Sequence, residues 1–97
     1  MINDPELNNL LRKTLVTFKI HVLKINNEFF HAIAKGEKTF EVRKNDRNFR
    51  VGDVLYLKEY SQKIEEYSGD KIYKKIIYIL EGGQFGIEPG YVVLGLG

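Results

Sequence analysis

Five short runs rich in β-branched and aromatic residues, at 17–25, 38–44, 54–60, 71–80 and 91–96, recur along this chain, and glycine-rich or polar breaks separate them. No other feature constrains the fold as strongly. Strands of that length cannot stand alone, and 97 residues supply one core rather than two. They must therefore pair into one sheet or small barrel. A hydrophobic content of 43% and a charged content of 29% are those of an ordinary globular domain.

Two helical stretches complete the pattern. Asp4-Pro5-Glu6 combines an N-cap side chain, a first-turn proline and an early carboxylate, and Leu7, Leu10, Leu11 and Leu15 follow at helical spacing. Residues 4–14 are thus predicted as an amphipathic helix, within an N-terminal extension at 1–17 that precedes a domain at 18–97. A second helix starts at Asn26 or Asn27, with Glu28 in its first turn and Phe29, Phe30 and Ile33 on its packed face. Gly36 stands where a left-handed residue ends it. The 17–25 run is apolar on both faces and is expected in the middle of the sheet. Gly52-Asp53 marks a turn into 54–60, and 67–70 reads as a hairpin tip.

Composition excludes several chemistries. The chain has no cysteine, so disulfides and thiolate metal sites are absent, and two histidines do not make a histidine-rich zinc site. No cofactor motif is present. The glycines between 81 and 90 lack the helix that a nucleotide-binding fingerprint requires. The first residues carry Asp4 and Glu6 and no basic start before an apolar stretch, and no apolar run approaches membrane length. A cytoplasmic protein without membrane or metal partners is expected.

The net charge of +2 says little, but its distribution says more. Residues 38–44 alternate, with Phe40 and Val42 predicted toward the core and Thr39, Glu41 and Arg43 on a polar face. Between Arg43 and Arg50 four basic side chains meet one acidic one, Asp46, which is expected to cap the local turn. Candidate ligand-facing residues are Lys38, Glu41 and Arg43, with a phosphate-contacting rim of Lys44, Asn45, Arg47 and Arg50. Gln84 is a further candidate in the 81–90 loop, whereas Phe85 is expected to plug the core. His21 reads as a satisfied structural histidine.

The order Gly36-x-Lys38-Thr39-x-Glu41-x-Arg43, followed by Val51-Gly52-Asp53, resembles the ASCH domains of the PUA-like superfamily. The similarity is greater still to short single-domain ASCH-like proteins. They share His21-x-Leu23-Lys24-Ile25, the run from Arg43 to Arg47, Leu80-x-Gly82-Gly83-x-Phe85-Gly86 and Gly90-Tyr91-Val92-Val93. The resemblance covers residues 21–96, about four fifths of the chain. It implies an α+β fold, a small partly closed β-barrel of about five strands with two short helices. It also implies a groove beside residues 36–47 that takes RNA or a nucleotide-like ligand.

One branch of the superfamily hydrolyses N4-acetylcytidine with a lysine, a threonine and a later glutamate. Lys38 matches the lysine, but Glu41 stands at the threonine position, and Thr39 follows the lysine by one residue rather than three. If the chain is an enzyme, Lys38 and Glu41 are its catalytic candidates. The expected function is binding, with a small hydrolase of modified nucleosides or a protein-interaction module as alternatives.

Overall fold

The computed structural model describes residues 4–9 and 18–97. Residues 5–9 form a helical segment whose start is capped as expected: Asp4 Oδ1 accepts from the Glu6 N–H at 3.0 Å and the Leu7 N–H at 3.2 Å. The remainder of the helix predicted over 4–14 lies outside the described residues.

The domain is α+β. It comprises β1 (Ile20–Asn26), α1 (Asn27–Ala34), β2 (Phe40–Lys44), β3 (Val54–Ser61), β4 (Glu66–Glu81) and β5 (Tyr91–Leu96). The strands make one mixed sheet in the order β1-β3-β4-β5-β2, parallel between β1 and β3 and antiparallel elsewhere. The 16-residue β4 holds the two halves together, because its first part pairs with β3 and its second with β5.

The apolar run of β1 does not sit mid-sheet; it forms an edge. His21, Leu23 and Ile25 point into the core, while Ile20 and Val22 stay exposed on the opposite face. β2 is the other edge, and no backbone ladder joins the two. The junction is made by side chains instead. Arg43 Nη2 donates to the Lys24 carbonyl and Arg47 Nη1 to the Val22 carbonyl, each at 2.9 Å. Two guanidinium groups thereby satisfy carbonyls that an edge strand leaves open.

α1 packs against β3 and β1 and adds Phe30 and Ile33 to the core that holds the fully buried Leu55, Leu57, Ile76 and Leu94. It ends in a Schellman motif: the Glu37 N–H bonds the Ala32 carbonyl at 2.9 Å and the Gly36 N–H bonds the Ile33 carbonyl at 3.0 Å, with Gly36 at φ +78°. At its start Asn26 is the N-cap residue but makes no side-chain cap bond, and Asn27 Oδ1 accepts from the Glu28 N–H.

The 67–70 segment is not a hairpin tip. The β3–β4 turn lies at 62–65, and the register shift between Lys58 and Tyr60 places Gly69, at φ +94°, in a β-bulge within β4. The Ser68 hydroxyl accepts from the Asp70 N–H there at 3.0 Å. Glycine followed by aspartate marks a departure from ideal strand geometry, and a bulge meets that description as well as a turn does.

Candidate functional site

The alternation predicted for β2 is present with its sense reversed. Phe40 and Val42 are exposed, whereas Glu41 is turned inward and is only 4% exposed. A carboxylate at that depth requires partners. Both of its oxygens have one. Glu41 Oε1 pairs with Lys38 Nζ, and Oε2 accepts from Arg43 Nε at 2.9 Å. Lys38 reaches this position because the glycine stop at Gly36 turns the chain just before β2, and its Nζ also donates to the Phe40 carbonyl at 2.7 Å. Arg43, two residues along the same face, reaches Glu41 and the Lys24 carbonyl together. One carboxylate between two cations leaves the cluster locally positive.

This cluster lies at the seam between the two edge strands, in an open groove of about 490 Å³. Glu41, Lys38 and Arg43 supply its polar part together with Lys24 and Asn26 of β1. Phe29 of α1, Phe40 and Ile25 supply apolar wall. Lys38 Nζ lies 5.1 Å from the Phe29 ring centroid and 4.8 Å from that of Phe40, so two aromatic rings flank the ammonium. Lysine offers three N–H donors and arginine five. The described contacts use two on Lys38 and two on Arg43, which leaves both with capacity for a ligand. A mostly apolar groove with a few converging polar groups suits a small planar ligand.

Only three of the candidate residues meet in the groove. Lys44, Asn45, Arg47, Arg50 and Gln84 lie outside its lining. Arg47 is engaged on the Val22 carbonyl. Asn45 Oδ1 accepts from the Phe49 N–H at 3.1 Å, the turn-capping part expected of Asp46, and the Asn45 N–H is tied to the Gly90 carbonyl at 2.8 Å. The Gln84 side chain donates to the Glu81 carbonyl at 2.8 Å. Phe85, expected to plug the core, is 84% exposed at the tip of a tight turn. The core position goes to Phe49 instead, a loop residue that carries no periodicity to reveal it.

The sequence reading missed Phe29 and Phe40 as groove walls. Phe30 faces the core, while Phe29, roughly 100° round the helix, stands at the margin of the apolar stripe and stays 44% exposed.

Two acid–imidazole pairs, each with a buried carboxylate, support the frame away from the groove. Asp53 is buried, which raises its pKa, but His21 Nε2 donates to Oδ2 at 2.8 Å and the N–H groups of Lys19 and Arg50 donate to its two oxygens at 2.9 and 3.1 Å. These bonds prevail and hold the carboxyl below its ordinary value. His21 is thus the satisfied structural histidine its sequence context suggested. Glu59 of β3 is buried and paired with His31 of α1 at 2.8 Å, a contact the sequence did not reveal.

Residues 20–96 match the model of a family described as a domain of unknown function, DUF3850. The chain belongs to the DUF3850 family. The match begins at the first residue of β1 and ends at the last of β5, so the DUF3850 unit includes every element that builds the groove. The chain is also 38% identical over 58 residues to an uncharacterised 12.9 kDa protein in the GpA 3′ region of Escherichia phage P2. That alignment covers 60% of this chain and 51% of the phage protein, so the chain spans about half the length of the relative it matches. Among the described residues no helix is long and apolar enough to cross a membrane, and no three potential metal ligands cluster.

Proposed function

We propose that the groove between β1 and β2 binds a nucleotide-like ligand, a base of RNA or a modified nucleoside, in the manner expected of an ASCH-like, PUA-like domain. The observation that carries this reading is Glu41, buried on the polar side of the groove and clamped by Arg43 and by Lys38, whose ammonium lies between the rings of Phe29 and Phe40. A base edge offers donors and acceptors to such a cluster, and a base face offers a stacking surface to the rings. The seam fits the same reading. Two edge strands bridged by arginines resemble a barrel left open where its ligand enters.

Binding is favoured over hydrolysis. Glu41 occupies the position of the hydrolase branch's threonine, and both its oxygens are held by cations, a poor arrangement for a nucleophile.

The test is a nuclear magnetic resonance titration of the full chain with acylated, methylated and unmodified nucleosides. Shifts confined to Lys38–Arg43 and the Phe29 ring, lost in Glu41→Gln, are expected. Shifts that avoid these residues, or none with any of the compounds, would overturn the reading.

A further inference from the structure

The outer face of the β1-β3-β4 half, opposite the core, is built in rows that the strand register defines. Val22, Tyr56 and Tyr73 form one row. Lys24, Lys58 and Lys71 form the next, and Asn26, Tyr60 and Tyr67 the one after. On the other side of the tyrosine row stand Ile20, Val54 and Lys75. These positions hold four lysines, four tyrosines and no carboxylate, in a chain whose 15 basic and 13 acidic residues nearly balance. The charge is segregated onto this face.

The rows touch. The Tyr56 and Tyr73 ring centroids are 4.7 Å apart and those of Tyr60 and Tyr67 are 5.0 Å apart. Lys24 Nζ sits 4.3 Å from the Tyr60 ring centroid and Lys58 Nζ 4.5 Å from that of Tyr67. Tyr67 and Tyr73 are each more than half exposed. The Gly69 bulge opens a hollow of about 60 Å³ among Tyr56, Lys58, Tyr67 and Lys71. Asp70 and the buried Glu59 are its acidic neighbours, and Glu59 is already paired with His31.

We infer that this lysine–tyrosine face is a second binding surface, which takes single-stranded nucleic acid with bases on the tyrosine rings and phosphates on the lysine row. The inference does not depend on the groove reading. Rings set between ammonium groups match a polymer that alternates planar aromatic and anionic units, and successive rows lie about 7 Å apart. An acidic protein or an anionic membrane would use the charge but has no need of the rings.

The decisive experiment is fluorescence anisotropy of the full chain with labelled oligouridine, oligothymidine and a duplex of equal length, alongside sedimentation with phosphatidylserine vesicles. Single strands are expected to bind more tightly than duplex, and affinity should fall as salt rises. Lys58→Glu with Lys71→Glu should weaken binding at least about tenfold. Tyr56→Leu with Tyr73→Leu should weaken it about tenfold through lost stacking. The protein has no tryptophan, and four of its six tyrosines lie here, so bound strands should also quench its intrinsic emission.

Circular dichroism establishes that each variant is folded, and Lys58→Gln with Lys71→Gln replaces a charge reversal that is not. Strand binding that survives the lysine changes overturns the inference whatever the groove does. So does binding indifferent to the tyrosine changes, or a preference for vesicles. Strand binding lost in the lysine variant while nucleosides leave Lys38–Arg43 unperturbed keeps this face and removes only the groove reading.

Discussion

Arg43 of β2 donates to the carbonyl of Lys24 on β1 at 2.9 Å while its Nε holds Glu41, so one side chain joins the sheet's two edges and partners a buried charge. Arg43→Ala removes both bonds and leaves Glu41 with Lys38 alone. A loss of about 2 kcal/mol in unfolding free energy is expected. Hydrogen exchange should quicken along β1, whose carbonyls lose that partner. Arg43→Lys cannot serve both acceptors, so it should recover less than half of the loss.

Glu41 is the residue on which the groove's electrostatics turn. Glu41→Gln keeps the shape but leaves two cations facing a neutral amide, and chemical denaturation should register a loss of about 2 kcal/mol. A double-mutant cycle of Lys38→Met with Glu41→Gln should return a coupling above about 1 kcal/mol. Additive losses would mean that the pair does not interact.

Asp53 sets an acid limit on stability. Its folded carboxyl lies below the ordinary 3.8 because the bonds from His21, Lys19 and Arg50 outweigh its burial. A depressed folded pKa contributes stability above the unfolded value, and that contribution is lost as pH falls through the folded value. Asp53→Asn should therefore cost about 3 kcal/mol at neutral pH, and its gap from the parent should narrow below about pH 4. Denaturation curves that run parallel from neutral to acid would contradict this.

Two glycines should respond to alanine by different mechanisms. At Gly82 an added Cβ would stand 2.2 Å from the Glu88 carbonyl oxygen and 2.5 Å from that of Tyr91, so the 82–90 loop must open. At Gly36 nothing lies within 4 Å, and only the φ of +78° resists. Gly36→Ala should cost about 1 kcal/mol, and Gly82→Ala about 2–3 kcal/mol with added mobility around Glu88.

Phe85 should be replaceable with a gain. It has φ +53° and is followed by Gly86 at φ +76°, with the Ile87 N–H donating to the Gln84 carbonyl at 2.9 Å. Positive φ at both central residues defines a type I′ turn, where asparagine before glycine is preferred. Phe85→Asn should raise the melting temperature, with a gain of about 0.5–1 kcal/mol.

Much of this architecture is local and was therefore legible. Asp4 caps a helical segment, Gly36 stops α1, and Gly52 shapes the turn into β3, because each role depends on one residue's own backbone or side chain. The period of β2 was legible too, and so was the grouping of Lys38, Glu41 and Arg43. Its sense was not, since alternation places residues on two faces without saying which is buried. Phe40 and Val42 outrank Glu41 on any hydrophobic scale. Glu41 is nevertheless inside, because Lys38 and Arg43 meet it there and compensate for lost water.

Strand partnership was equally out of reach. β1 reads as apolar on both faces, yet its place at an edge follows from β3 pairing beside it and β2 leaving for the far side. Tyr56, Tyr73, Lys58 and Lys71 are scattered along the chain and become rows only through register. The chain's own residues determined its caps, turns, strand periods and single core, because those depend on neighbours in sequence. Which face of β2 is buried, where the seam lies and which lysines meet which tyrosines were decided by tertiary structure. Long-range pairing sets both the desolvation of a charge and the company in which it is desolvated.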